Sequence, residues 1–317
     1  MKSVYLSALA LAVAQLCVGP VIAQTTTQPG QMAQSASTRS HELVPDVKTN
    51  LVTFALPAPA QALQGIGRLQ IPTDLSTPEA TEKAMRSKVP AVVIVHGTGG
   101  MDAKGPMYAQ ALNAAGIATL EIDLWSPRGL AGGWDGRPKH VKETLPDAFG
   151  ALAYLASLPR IDAQHIGIMG FSWGGVVSML TADTTYAGQM APPNLRFAAH
   201  MPYYPICFGY NRVPGYPFKD LTGAPIYILT GADDKYDNDA TMCDKQVAAL
   251  PTAMRAQVRV KVYSHAEHGF NNLDQARSYM DPFHYQGRGG LGGSAPNVEA
   301  REDSITQTVQ FFNQTLK

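Results

Sequence analysis

From about residue 89 the chain repeats one pattern: a short, largely β-branched apolar run, a glycine- or polar-rich turn, then a longer stretch with helical spacing. The apolar runs are AVVIVHG (91–97), IATLEIDLW (117–125), HIGIMGF (165–171), LRFAAHMPYY (195–204), PIYILTG (225–231) and VRVKVYS (258–264). Near-continuous apolarity over such lengths predicts strands buried on both faces. Strands alternating with helices imply an α/β fold, a mainly parallel sheet with helices on both faces. LPDAFGALAYLASLP (145–159) sets Leu145, Phe149, Leu152, Leu155 and Leu158 at helical spacing between prolines, and predicts a covering helix. DSITQTVQFFNQTL (303–316) predicts a terminal helix, capped by Ser304 or Asp303, with Ile305, Val309 and Phe312 inward. LVTFAL (51–56) and GIGRLQIP (65–72) read as two opening strands, and the polar segment PEATEKAMRSK (78–88) is left undecided. No internal repeat interrupts this order, so residues 41–317 are expected to form one domain.

The first residues follow a different pattern. Lys2, the apolar stretch VYLSALALAVAQLCV and the small-residue site VIA predict a signal peptide, residues 1–23, cut after Ala23. Gln15, Gly19 and Pro20 interrupt the stretch and argue against a retained anchor, and AQLC lacks the small residue a lipoprotein site wants before Cys17. Residues 24–40, rich in Gln, Thr and Ser, read as a flexible tether. The expected location is therefore periplasmic or secreted, with no membrane attachment after cleavage. Removal of Cys17 leaves Cys207 and Cys243; they can pair only if their Cα atoms lie within about 7 Å, which the sequence leaves open.

Composition narrows the partner. The 317 residues are 45% hydrophobic, enough for a large core, and 25 basic residues balance 25 acidic ones. A neutral chain lacks the basic excess of a nucleic-acid or anionic-membrane binder, so a small-molecule partner is expected. Oligomeric state is not legible.

The chemistry centres on IGIMGFSWGG (166–175), where a strand-like run meets Gly170-Phe171-Ser172-Trp173-Gly174 and then VVSMLTA, a helix-compatible run. G-x-S-x-G between strand and helix is a nucleophile elbow, which lifts the serine hydroxyl out of a sharp turn. A serine needs a base, and the base an orienting carboxylate. PIYILTGADDKYDN offers Asp233 and Asp234 at a strand end, and VKVYSHAEHGF offers His265 and His268 at the next. The order serine, acid, histidine is that of α/β-hydrolases. The residue after the nucleophile, Trp173, is expected to give one oxyanion-hole amide, and the HGTGG loop, with Thr98 and Gly99, the other. His96 is expected to be structural. The run GRGGLG (287–292) fits a dinucleotide pattern but lacks the preceding strand and following helix, so a loop is expected and no cofactor. The histidines of HAEH lack a further ligand at metal spacing, so no metal is expected either.

VVIVHGTGG, GFSWGG, LTGADD and HAEHGF together resemble the α/β-hydrolase fold, most closely its dienelactone hydrolase family, from about Val89 to the C-terminus. The resemblance implies Ser172, Asp234 and His268 as catalytic residues, with Asp233 and His265 as alternatives, and Thr98 beside Trp173 in the oxyanion hole. That family uses cysteine where this chain has Ser172, which points away from lactone specificity toward general esterase chemistry. The expected activity is hydrolysis of carboxylic esters or lactones; acyl transfer to an alcohol and non-catalytic ligand binding are the alternatives. WSPRGLAGGWDGRPKH, with Trp125, Arg128, Trp134 and Arg137, and MPYYPICFGYNRVPGYPF, with Tyr203, suggest an aromatic pocket holding a cation for a substrate carboxylate, and the family's arginine against anionic substrates maps best onto Arg128.

Overall fold

The computed structural model describes residues 46–74 and 76–317. The expected leader and tether, and the expected domain start from His41 up to Pro45, lie outside the described residues. Strands β1 (Asp46–Ala55) and β2 (Gln64–Thr73) pair antiparallel over their whole length. The undecided segment is helix α1 (Pro78–Arg86), started by Thr77, whose side chain accepts the Ala80 amide, and by Pro78, whose φ is already helical.

The alternation then runs β3 (Val89–Val95), α2 (Lys104–Ala114), β4 (Ala118–Asp123), α3 (Leu145–Ser157), β5 (Ile161–Phe171), α4 (Trp173–Thr181), α5 (Thr184–Met190) and β6 (Ala199–Tyr203). It continues with β7 (Ile226–Gly231), α6 (Met242–Ala248), α7 (Thr252–Arg255) and β8 (Val258–Tyr263). The sheet order is β1-β2-β4-β3-β5-β6-β7-β8, and β2 alone runs against the rest. Strand β3 shows why the runs are apolar throughout. Val93 and Val95 pack with Leu145, Phe149 and Val177 of α3 and α4, whereas Val92 and Ile94 pack with Tyr108 and Leu112 of α2 and with Phe312. A strand covered by helices on both faces has no side on which a polar residue reaches water.

Beyond β8, strands β9 (Arg277–Asp281) and β10 (Gly290–Ser294) form a separate antiparallel ribbon around the single turn α8 (His284–Gly287). GRGGLG is a loop only in part: Arg288 and Gly289 form the turn after α8, but the last three residues open β10, where a Cβ on Gly292 would lie 2.2 Å from the His284 ring. The terminal helix α9 (Val298–Leu316) starts earlier than expected. Asn297 is its cap, accepting the Ala300 amide, and Ser304 and Asp303 lie inside it. Phe312 points inward as expected, but Ser304 and Thr308 share its buried face, because Tyr108 and Tyr203 supply them with hydroxyl partners at 2.6 and 2.5 Å. Among the described residues no helix is long and apolar enough to cross a membrane.

Candidate active site

Strand β5 ends at Phe171 and α4 begins at Trp173, so Ser172 alone makes the turn. Its φ of 52° and ψ of −108° hold a side-chain-bearing residue where it stays only under constraint. Neighbouring backbone supplies that constraint: the Ser172 amide donates to Tyr203 O and the Gly174 amide to His96 O, both at 3.1 Å. The same closeness dictates the glycines. A Cβ on Gly170 would meet Gly174 O at 2.3 Å, and one on Gly174 would meet Val95 O at 2.1 Å.

The loops after β7 and β8 bring the other two groups to the serine. His268 Nε2 lies 2.8 Å from Ser172 Oγ, and His268 Nδ1 lies 2.7 Å from Asp234 Oδ2. His268 and Asp234 are buried, and the second carboxylate oxygen of Asp234 accepts the Tyr236 amide at 2.9 Å. With both oxygens committed as acceptors, the imidazole proton sits on Nδ1, and the Nε2 lone pair faces the serine hydroxyl. The alternatives Asp233 and His265 are exposed and take no part in this line. Asp237, three residues after Asp234, is also buried. Burial, with the Asp234 charge adding to it, pushes its carboxyl up to about 7, although it accepts the amides of Cys207 and Phe208.

The expected oxyanion donors stand ready on either side. Among the described residues neither the Thr98 nor the Trp173 amide has an intramolecular acceptor. Trp173 opens α4, whose aligned peptides favour negative charge at that end. The peptide carrying the Thr98 amide is fixed through its carbonyl: Gly97 O accepts from His96 Nδ1 at 2.7 Å and from the Gly100 amide at 3.1 Å. His96 Nε2 accepts the Leu124 amide at 3.0 Å, so His96 is the structural residue expected. A planar trans peptide fixed at its oxygen has its N–H fixed in the opposite direction.

Three expected pocket residues are elsewhere. Trp125 is buried behind the HGTGG loop, its indole N–H donating to Thr98 O at 3.2 Å and its ring edge-on to His96 and Trp173. Arg128 is spent on a two-pronged ion pair with buried Asp147, at 2.8 and 2.6 Å, and on two carbonyls. Tyr203 is fully buried on the α9 side of the sheet, where Thr308 and Ser304 O hold its hydroxyl. Each lies in a segment that borders the site, but pattern alone does not say which member faces in.

The cavity above Ser172 has a volume of about 550 Å³, within the usual range for small-molecule sites. Its walls are Trp173, Tyr204, Phe208, Tyr210, Tyr236 and, on the ribbon, Tyr279 and Phe283. Where the resemblance points to Arg128, the arginine that the same segment brings to the cavity is Arg137. Its guanidinium stacks 4.8 Å from both Trp134 and Trp173, has no carboxylate within 4 Å among the described residues, and leaves a buried Nε without an acceptor. Desolvation pulls its pKa down. Cys207 and Cys243, left open above, are joined by a disulfide with Cα atoms 5.1 Å apart. They cluster with Asp237, but disulfide sulfurs lack the thiolate charge a metal site draws on.

A mainly parallel eight-stranded sheet flanked by helices, with a strained serine at a strand-to-helix elbow, makes this an α/β-hydrolase fold. The sequence profile of the dienelactone hydrolase family matches residues 76–316, and the chain belongs to that family. Among solved structures it is similar to a dienelactone hydrolase-like promiscuous phosphotriesterase from metagenomic libraries, with 19% identity, TM-score 0.55, and coverage of 86% of this chain and 99% of that one. It is likewise similar to dienelactone hydrolase from Anabaena variabilis, at 18% identity and TM-score 0.53, covering 86% and 99%. A hyperthermophilic esterase from Pyrobaculum calidifontis aligns at 14% identity and TM-score 0.55, covering 85% and 87%. At these identities the structural likeness speaks for the fold.

Proposed function

We propose that the protein is a serine hydrolase that cleaves carboxylic esters through an acyl intermediate on Ser172. The observation that carries this reading is the unbroken hydrogen-bonded line from Ser172 Oγ through His268 to Asp234 at the floor of the cavity. Ser172 Oγ attacks the ester carbonyl as His268 Nε2 takes its proton, and Asp234 stabilises the imidazolium that forms. The amides of Thr98 and Trp173 receive the oxyanion, each worth about 3 kcal/mol by the standard of comparable holes. His268 then protonates the departing alkoxide. Water, deprotonated by the same imidazole, releases the acid.

The walls support a substrate larger than a small lactone, with an apolar or aromatic portion lying against Trp134 and Phe283. The unmatched guanidinium of Arg137 supports an oxygen-rich or anionic group on that substrate. The leader pattern and the Cys207–Cys243 disulfide support a site of action outside the cytoplasm. The test is hydrolysis of a chromogenic ester series, short to long and aromatic, with one lactone, by the wild type and Ser172→Ala. Turnover abolished in a folded Ser172→Ala is expected, with released acid as the product; turnover that survives the substitution refutes the reading.

A further inference from the structure

Proton transfer in the proposed reaction uses Ser172, His268 and Asp234, but two tyrosines lie against the same imidazole and none of those steps needs them. The ring centre of Tyr236 is 4.3 Å from that of His268, and the ring centre of Tyr204 is 4.7 Å away. Tyr236 differs in what holds its far end: its hydroxyl donates to Asp281 Oδ2 at 2.6 Å, and Asp281 Oδ1 accepts the Phe283 amide at 2.8 Å. Tyr236 and Asp281 are both buried, and the phenol is raised by burial, with Tyr279 and Asp281 adding, so it remains the donor.

The ribbon that brings Asp281 is fastened to the acid loop itself. The Tyr285 amide donates to Lys235 O at 2.6 Å and the Gln286 amide to Tyr236 O at 2.9 Å. Both residues hold left-handed backbone, at φ 53° and 61°. Such strain persists where the surroundings over-determine it. His284, on the same turn, packs its ring 4.4 Å from Tyr236. Tyr236 is therefore gripped between His268 and the ribbon, with a carboxylate at its hydroxyl.

We propose that Tyr236, polarised by Asp281, is a positioning residue for His268 that also stabilises the imidazolium. The inference rests on the serine-hydrolase reading above. When the Ser172 O–H bond breaks and the Nε2–H bond forms, the buried His268 gains a positive charge. An aromatic ring within about 6 Å attracts such a charge. A hydrogen bond to a carboxylate enriches the ring that makes it. Asp281 thus acts on the reaction through Tyr236 without touching the substrate carbonyl.

The test compares pH profiles of kcat/KM on a chromogenic ester for the wild type, Asp281→Asn, Tyr236→Leu and Tyr236→Phe, with Ser172→Ala alongside. His268 is faced by Ser172, Asp234, Tyr204 and Tyr236 and feels the charge of Asp237; Tyr236 is faced by Asp281, Tyr279, His284 and Arg137. Loss of imidazolium stabilisation lowers the His268 pKa, so the acid limb moves to lower pH. Expected are a kcat/KM loss of roughly 10-fold or more in Tyr236→Leu, and a several-fold loss in Asp281→Asn and in Tyr236→Phe, which keeps the ring but loses the Asp281 contact, each with that limb shift. Losses without a limb shift, or variants within two-fold of wild type, overturn the proposal. Should Tyr236→Leu fail to fold, Asp281→Asn decides by the same criteria. Turnover retained in Ser172→Ala would instead overturn the serine mechanism, so the two failures are separable.

Discussion

Asp234→Asn is the substitution that tests the site with the least change in shape. In the native protein one carboxylate oxygen accepts from His268 Nδ1 at 2.7 Å and the other from the Tyr236 amide at 2.9 Å. Asparagine has one acceptor and one donor, so it satisfies only one of them. With its oxygen on the Tyr236 amide, its NH2 faces Nδ1 and drives the imidazole proton to Nε2, where the ring cannot take the proton of Ser172. With its oxygen on Nδ1, its NH2 faces another N–H donor in a buried site, at a cost of about 1–3 kcal/mol. The productive form also loses a charge-assisted bond, worth about 1.5–3 kcal/mol. Together these predict a fall in kcat on the order of 10³ to 10⁴, as an equivalent exchange causes in a serine protease. The assay is steady-state hydrolysis of a chromogenic ester, with circular dichroism showing an unchanged fold. An Asp234→Asn enzyme within ten-fold of wild type would refute the assignment and turn attention to Asp233 or Asp237.

Gly174→Ala puts a methyl 2.1 Å from Val95 O; overpacking costs about 1–3 kcal/mol, and displacement of the elbow by an ångström costs about 100-fold in rate. A variant that keeps both melting temperature and turnover would show that the elbow can relax. Replacing both Cys207 and Cys243 with alanine opens a loop spanning 36 positions of sequence, and the loop-entropy relation sets the loss near 4 kcal/mol. Urea unfolding measures it, and a loss below about 1 kcal/mol would contradict that account. Asp237, pushed up to about 7, keeps a proton in the folded chain that the unfolded chain loses above about pH 4. Its contribution to stability therefore falls as pH rises from about 4 to 7, and Asp237→Asn should flatten that slope, by on the order of a few kcal/mol across the window. An unchanged slope would mean that Asp237 is ionised throughout.

Local physics made much of this legible in the chain. Strands β3 to β7 declared themselves because burial on both faces forces largely apolar runs, and the elbow because its backbone approaches leave no room for a Cβ at Gly170 or Gly174. Strand ends in a parallel sheet deliver their loops to one edge, which made the pairs Asp233/Asp234 and His265/His268 readable, and the resemblance to the family picked Asp234 and His268 from them. What required the tertiary structure was the direction of side chains within those loops. Arg128 and Arg137 lie nine positions apart in one glycine-rich segment, yet one meets Asp147 and the other the cavity, and that choice was set by where α3 presents a buried carboxylate. Tyr203 and Tyr204 are adjacent, and strand alternation together with the positive φ of Tyr204 sends one to α9 and the other to His268. The disulfide and the Asp281–Tyr236 contact join segments far apart in the chain. Pairings of that kind depend on which loops the closed sheet makes neighbours, and spacing along the chain carries no record of it.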